Sequence, residues 1–282
     1  MQPPCPVFDA HVHTYPDAIA QRVVSDLGAR FFDPQGRPGY DGTRAGLLAR
    51  LAAGGIAGAL NAPIATRPDQ TVSINNWAAA GNRWPVLSLG TVHPDQPDVA
   101  AELRRVRDLG LPGIKLHPEY QSFAPDEPRL DPVWRTCRDL GLTVLLHAGG
   151  DRAFRPPFRA TPTVVGRVVR AWPGLTLVAA HLGGFQMWDE FERELAGQPL
   201  HLDTSYTIGF LPDEQFLRIV RRHGVERILF GSDGPWQDPA EALANFRRLP
   251  LTPAEQRAIL WENAARILPL PSHPPCAPPP RP

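Results

Sequence analysis

Net charge is the first thing this chain lacks. Its 282 residues set 29 lysine-plus-arginine side chains against 29 aspartates and glutamates. No surplus of either sign is on offer to a polyanion, and with no basic stripe or RNA- or DNA-binding motif present, no nucleic-acid partner is expected. No run of 18 apolar residues occurs, so no membrane-spanning helix is predicted. The opening residues, MQPPCPVFDAHVH, have no basic segment leading into an apolar one, so no secretory leader is expected. Cysteine is scarce. Cys5, Cys137 and Cys276 are odd in number and far apart, which argues against a disulfide framework and against a thiolate zinc site. A reducing cytoplasm is the expected setting. Lysine is almost missing: Lys115 stands alone, and every other basic side chain is arginine.

What is present is a repeating alternation. Short apolar runs rich in β-branched residues occupy Val7–His13, Ala57–Pro63, Val86–Val92, Gly113–His117, Thr143–His147, Leu175–His181, Leu200–Thr204 and Ile228–Ser232. Helical patterns fill the gaps: Arg44–Ala53, Val72–Ala80, Val99–Leu109, Pro132–Leu140, Thr163–Ala171, Met187–Leu195, Asp213–His223, Ala240–Arg247 and Pro253–Ile267. Several have recognisable ends, such as Gly54-Gly55 and Gly141 as stops, Asp131-Pro132 as a start, and Thr252 with Glu255 as a capping box. Strands separated by helices mean βα units on a parallel sheet, and eight of them in about 230 residues are what a (β/α)8 barrel needs. The predicted fold class is therefore α/β, a single-domain (β/α)8 TIM barrel over residues 1–268. Residues Pro16–Tyr40 are predicted to be a long loop covering the active site. The proline-rich stretch 269–282 has no periodicity and is expected to be disordered.

The chemistry concentrates at the ends of the predicted strands. The first reads Asp9-Ala10-His11-Val12-His13, and alternation along a strand puts Asp9, His11 and His13 on one face. The fifth ends in His147-Ala148-Gly149, the sixth in His181-Leu182-Gly183-Gly184, and the eighth in Ser232-Asp233-Gly234. Each sets a metal-capable side chain just past an apolar strand, followed by small residues that let backbone approach closely. Strand C-termini meet on one face of a barrel, where barrel active sites lie. A lone histidine at such a position is more often a satisfied core residue. Four strand ends giving histidine, histidine, histidine and aspartate are hard to obtain from packing alone.

This set resembles the amidohydrolase superfamily, most closely the amidohydrolase-2 group that includes aminocarboxymuconate-semialdehyde decarboxylase-like proteins. The resemblance runs from Val7 to Leu268. It implies that His11, His13 and Asp233 ligate a divalent metal, zinc first with manganese or iron as alternatives, and that His147 is a further ligand. It implies that His181 either binds a second ion or polarises the substrate, so that one or two ions are held. Nitrogen and carboxylate ligands suit zinc, and such a site acidifies water to a pKa of about 7. Asp233 would serve as general base and then acid.

Lys115, on the fourth strand with His117, is the retained amine. In some superfamily members a carboxylated lysine at this strand bridges two ions, which arginine cannot do; a plain ammonium could instead bind a substrate carboxylate. His117, Glu119, His93, Tyr206, Trp236 and one of Arg152, Arg155 and Arg159 are weaker candidates for the rim. The leading expectation is hydrolysis of a small-molecule amide, ester or lactone, with Asp233, His181 and Lys115 as catalytic residues. A metal-dependent decarboxylase of a small carboxylic acid is the alternative. A non-catalytic scaffold is disfavoured because the metal set is complete. Beyond the substrate, a second copy of the chain is the one partner left open.

Overall fold

In the computed structural model, which describes residues 5–32 and 38–272, the chain forms two compact units. Unit 1 comprises Met1–Asn61, Trp84–Leu87 and Asp203–Pro282; unit 2 comprises Ala62–Arg83 and Ser88–Leu202.

Unit 1 is organised around β1 (Phe8–Val12). On one side β1 pairs in parallel with β2 (Gly58–Asn61), Phe8 against Gly58 and Asp9 against Ala59. The register slips between Asp9 and Val12, so β1 carries one residue more than its partner there. Such a bulge re-aims side chains and is common beside active sites. β3 (Val86–Ser88) follows β2 in the same sheet. The other side of β1 is held by the chain around residue 230: Ala10 N donates to Phe230 O (2.8 Å), Asp233 N to His11 O (2.8 Å) and His13 N to Gly234 O (2.6 Å). Phe8 beneath this sheet packs with Trp84 and Trp261 at ring separations of 6.3 Å. The apolar spacing of Arg44–Gly54 buries Leu47 and Leu51, one turn apart, and Gly55 ends the helix in the left-handed conformation predicted for a glycine stop (φ 65°).

Unit 2 carries a parallel sheet in the order β4 (Gly90–Thr91), β5 (Gly113–Leu116), β6 (Thr143–Leu146), β7 (Leu177–Ala179) and β8 (His201–Asp203, ending at the first residue of a unit 1 segment). Strands β5, β6 and β7 are buried along their length, as parallel strands covered on both faces must be. Helices Val99–Asp108, Asp131–Leu140 and Pro162–Ala171 connect them. Asp98 and Thr161 cap two of these, accepting from Ala101 N and Val164 N. The short β9 (Ile228–Leu229) completes the set, with Thr204 N donating to Leu229 O within unit 1.

Every predicted strand has its counterpart, with differences that have physical reasons. The third is divided into β3 and β4, because the first half joins the sheet of β1 and β2 and the second half joins β5. The predicted loop at Pro16–Tyr40 contains a helix, Asp17–Gly28, whose Ala20 and Val24 are buried one turn apart. Residues 33–37 of that segment lie outside the described residues. Asp131 is the first residue of its helix, not its cap; Leu130 precedes it and no side chain caps that end. The last predicted helix, Pro253–Ile267, runs through a π-helical turn at Ala258–Glu262, and the capping box of Thr252 and Glu255 is present. Most of the proline-rich stretch, from residue 273 onward, lies outside the described residues.

Candidate active site

In unit 1, His11, His13 and Asp233 converge. Asp233 Oδ1 lies 3.0 Å from His13 Nε2 and 3.4 Å from His11 Nε2, and one donor atom from each residue falls within 4.8 Å of the others. Ligands bonded at 2.0–2.1 Å around a tetrahedral ion stand about 3.3 Å apart, so the set fits a divalent cation. The far side of His11 supports this. Its Nδ1 lies 2.9 Å from Asp203 Oδ2 and 3.0 Å from Ser205 Oγ. His11, Asp203 and Ser205 are fully buried. A ligating histidine whose other ring nitrogen is held by a carboxylate is a recurrent pattern in metal sites. Tyr40 donates its hydroxyl to His13 O at 2.7 Å, which fixes the backbone after β1.

Asp9 lies beneath the ligands. Its Oδ1 accepts from His11 N (3.2 Å) and Ser232 N (3.0 Å), tying β1 to the Ser232-Asp233 turn. Its Oδ2 is buried without a hydrogen-bond partner. Burial pushes the Asp9 carboxyl up to about 7, against the opposing pull of the hydrogen bonds from Ser232 and His11.

Unit 2 holds a second group: His117, His147 and Asp151. His117 Nε2 is 3.2 Å from Asp151 Oδ2. The imidazoles of His117 and His147 stack 4.0 Å apart with their planes 14° from parallel. Lone pairs lie in the ring planes, so two stacked rings cannot aim theirs at one point, and the group does not fit a shared ion. It fits a hydrogen-bonded relay. The Gly150 carbonyl, which can only accept, lies 2.9 Å from His147 Nε2, so that nitrogen carries the proton. Burial first, then His117, His181 and the Lys115 charge, hold His147 well below the usual histidine range and so neutral. Its Nδ1 therefore accepts, and His181 Nε2, 3.0 Å away, donates. Lys115 itself is buried on β5 at 1% exposure.

Two sequence-predicted catalytic residues share an unusual backbone. His181 (φ 59°) and Asp233 (φ 64°) are both left-handed, a conformation that costs a non-glycine residue of order 1–3 kcal/mol and collects at functional sites. At His181 the conformation continues through Leu182 and Gly183, and Trp188 Nε1 donates to the His181 carbonyl at 3.0 Å. Gly149 shows why a small residue follows His147: a Cβ there would meet Phe185 N at 2.2 Å.

The predicted residues thus divide. His11, His13 and Asp233 come together in unit 1; His147, His181 and Lys115 belong to unit 2, with His117 and Asp151. Among the weaker candidates, Glu119 is buried and accepts from Arg159 through the backbone N (2.6 Å) and the guanidinium (2.8 Å). Tyr206 stacks on Phe210, and Trp236 meets Phe31 edge-on. His93 accepts from Asp95 N in a turn. Asp203, Ser205 and Asp151 were not singled out from the sequence. The signal for the first two was available: Asp203-Thr204-Ser205 is a polar run at the end of an apolar strand, the pattern that marked the other sites.

The chain matches the family model described as Amidohydrolase over residues 8–270 and belongs to that family. Among solved structures it is similar to an uncharacterised TIM-barrel protein from Bordetella bronchiseptica (21% identity, TM-score 0.75, covering 93% of this chain and 97% of that one). It is also similar to a 5-carboxyvanillate decarboxylase from Novosphingobium aromaticivorans complexed with manganese and a nitrobenzoic acid (16% identity, TM-score 0.70, covering 95% and 97%). A third likeness is to a probable 2-pyrone-4,6-dicarboxylic acid hydrolase from Acinetobacter baumannii with citric acid bound (15% identity, TM-score 0.64, covering 93% and 98%). These likenesses show the fold, a (β/α)8 TIM barrel, in agreement with the strand and helix alternation.

Proposed function

We propose that the protein is a metal-dependent hydrolase of a small-molecule carboxylic acid carrying an ester, lactone or amide bond. The observation that carries this reading is the convergence of His11, His13 and Asp233 on positions suited to one ion, with His11 held from behind by Asp203. Those three residues would hold a divalent cation, zinc or manganese. Bound there, it supplies Lewis acidity toward a carbonyl oxygen and toward water. Asp233 accepts the proton of the attacking water and returns it to the leaving oxygen or nitrogen as the carbonyl carbon–heteroatom bond breaks. The left-handed backbone at Asp233 fixes where that carboxylate stands. In unit 2 the donating Nε2 of His181, set by His147 and Gly150, keeps the His181 ring in one orientation. The small-acid substrate class draws support from the two acid-acting proteins of like fold.

Decarboxylation is the second reading, favoured by the likeness to 5-carboxyvanillate decarboxylase. Turnover of a panel of lactones, esters and aryl carboxylates in ¹⁸O-labelled water separates the two. Hydrolysis places one ¹⁸O in the product carboxylate. Release of CO₂ with no ¹⁸O in the remaining product would replace hydrolysis by decarboxylation. Metal analysis accompanies it: His11→Ala is expected to lose metal and activity together, and full activity in rigorously metal-free protein would end both readings. His147→Ala in the same analysis decides whether His147 joins the ligands, since its Nε2 is engaged by the Gly150 carbonyl.

A further inference from the structure

We propose that Asp203 is a positioning residue that sets the tautomer of His11 and, through it, the affinity for the ion; the inference rests on the metal reading given above. The argument is one of donors and acceptors. Asp203 Oδ1 accepts from Ser205 N at 3.0 Å and from the Ser205 hydroxyl. Its Oδ2 faces His11 Nδ1 at 2.9 Å. The Ser205 hydroxyl proton is committed to Asp203, so toward His11 Nδ1 the Ser205 oxygen can only accept. Both groups facing Nδ1 are therefore acceptors, and Nδ1 must carry the proton. Neutral imidazole has one N–H, so the lone pair is left on Nε2, the nitrogen that faces Asp233 at 3.4 Å. Water cannot rescue another arrangement easily, because all three side chains are fully buried.

The substitution Asp203→Asn tests this with almost no change of shape. An amide has one accepting and one donating end. With its NH₂ toward Ser205, it confronts the Ser205 backbone N–H, a donor that cannot change role. With its NH₂ toward His11, it drives the imidazole to the Nε2–H tautomer and removes the lone pair that would bind metal. In serine hydrolase triads the same carboxylate-to-amide exchange leaves the geometry intact and produces the wrong tautomer. Partners of metal-ligating histidines are typically worth 10–100-fold in affinity.

The experiment is zinc titration by competition with a chromophoric chelator, paired with ¹⁵N spectra of histidine-labelled, metal-free protein, with the His11 signals assigned from His11→Ala. Wild type is expected to show His11 as Nδ1–H. Asp203→Asn is expected to show Nε2–H and to bind zinc about 10–100-fold more weakly. Ser205→Ala, which keeps the carboxylate, is expected to retain the wild-type tautomer. An Nε2–H tautomer in the wild-type protein overturns the proposal with no variant needed. So does an Asp203→Asn protein with wild-type tautomer and affinity. Absence of His11-dependent zinc binding in wild type overturns the metal reading itself, a result distinct from intact binding that ignores Asp203.

Discussion

Titrating the metal-free protein through the acid range is expected to unload strain from one carboxyl group, that of Asp9. It is fully buried, its Oδ2 has no hydrogen-bond partner, and burial raises it from 3.8 to about 7. The folded state therefore binds a proton more tightly than the unfolded chain does. A raised carboxyl stabilises the fold at acid pH, fully so below about pH 4, and that stability is lost as pH rises through about 7. Linkage with these two values gives a loss of roughly 2–3 kcal/mol between about pH 5 and pH 8. Other groups titrate over the same interval. His147, held well below the usual histidine range, acts in the opposite direction, gaining stability as pH rises through the unfolded histidine value. A matched variant removes them. Asp9→Asn keeps an oxygen to accept from His11 N and Ser232 N and is neutral at every pH. It also leaves a buried NH₂ unsatisfied, at a pH-independent cost of about 1–3 kcal/mol. Urea unfolding of metal-free wild type and Asp9→Asn at both pH values isolates the Asp9 contribution as the change in their difference. A difference that stays constant within about 0.5 kcal/mol would refute the reasoning.

Two further outcomes follow from the site and the fold. Asp233→Asn keeps one oxygen donor but cannot act as a base, so it should retain part of its metal while kcat falls roughly 10²–10⁴-fold; metal content and kcat measured on one preparation check the split, and wild-type kcat with metal bound would move the base elsewhere, His181 first. Thr252→Ala removes the side-chain acceptor for Glu255 N at the start of the final helical segment and should cost about 1 kcal/mol by denaturant midpoint, with kcat unchanged.

Much of this was legible in the residues because two signals are local. Apolar β-branched runs and glycine stops depend on neighbours in sequence, and every predicted strand and helix is present, the last helix interrupted by a π-helical turn. The strand-end rule picks out His11, His13 and Asp233, three residues that lie together in the fold. What escaped depends on distant partners. Asp17–Gly28 is the exception: Ile19, Ala20, Val23, Val24 and Leu27 recur at helical spacing, a local signal that the loop reading passes over. The bulge in β1 arises from its pairing with β2, so strict alternation over Asp9, His11 and His13 does not hold. Asp203 acts on a histidine 192 positions away, and no spacing rule reaches that far. Grouping His147 with the first-strand histidines followed from resemblance; its two hydrogen bonds, to Gly150 and His181, come from turn geometry that residue types do not encode.

The solitary lysine has a practical consequence. Acylating reagents attack uncharged, accessible amines and ignore guanidinium groups. The one lysine amine in this sequence is Lys115, and it is sealed at 1% exposure. In the folded protein that lysine should therefore stay unlabelled. A label on Lys115 can enter only when β5 opens. Its rate of appearance, read by intact mass, tracks how often that part of the molecule unfolds under native conditions, so the chain carries a one-copy chemical clock for its own breathing.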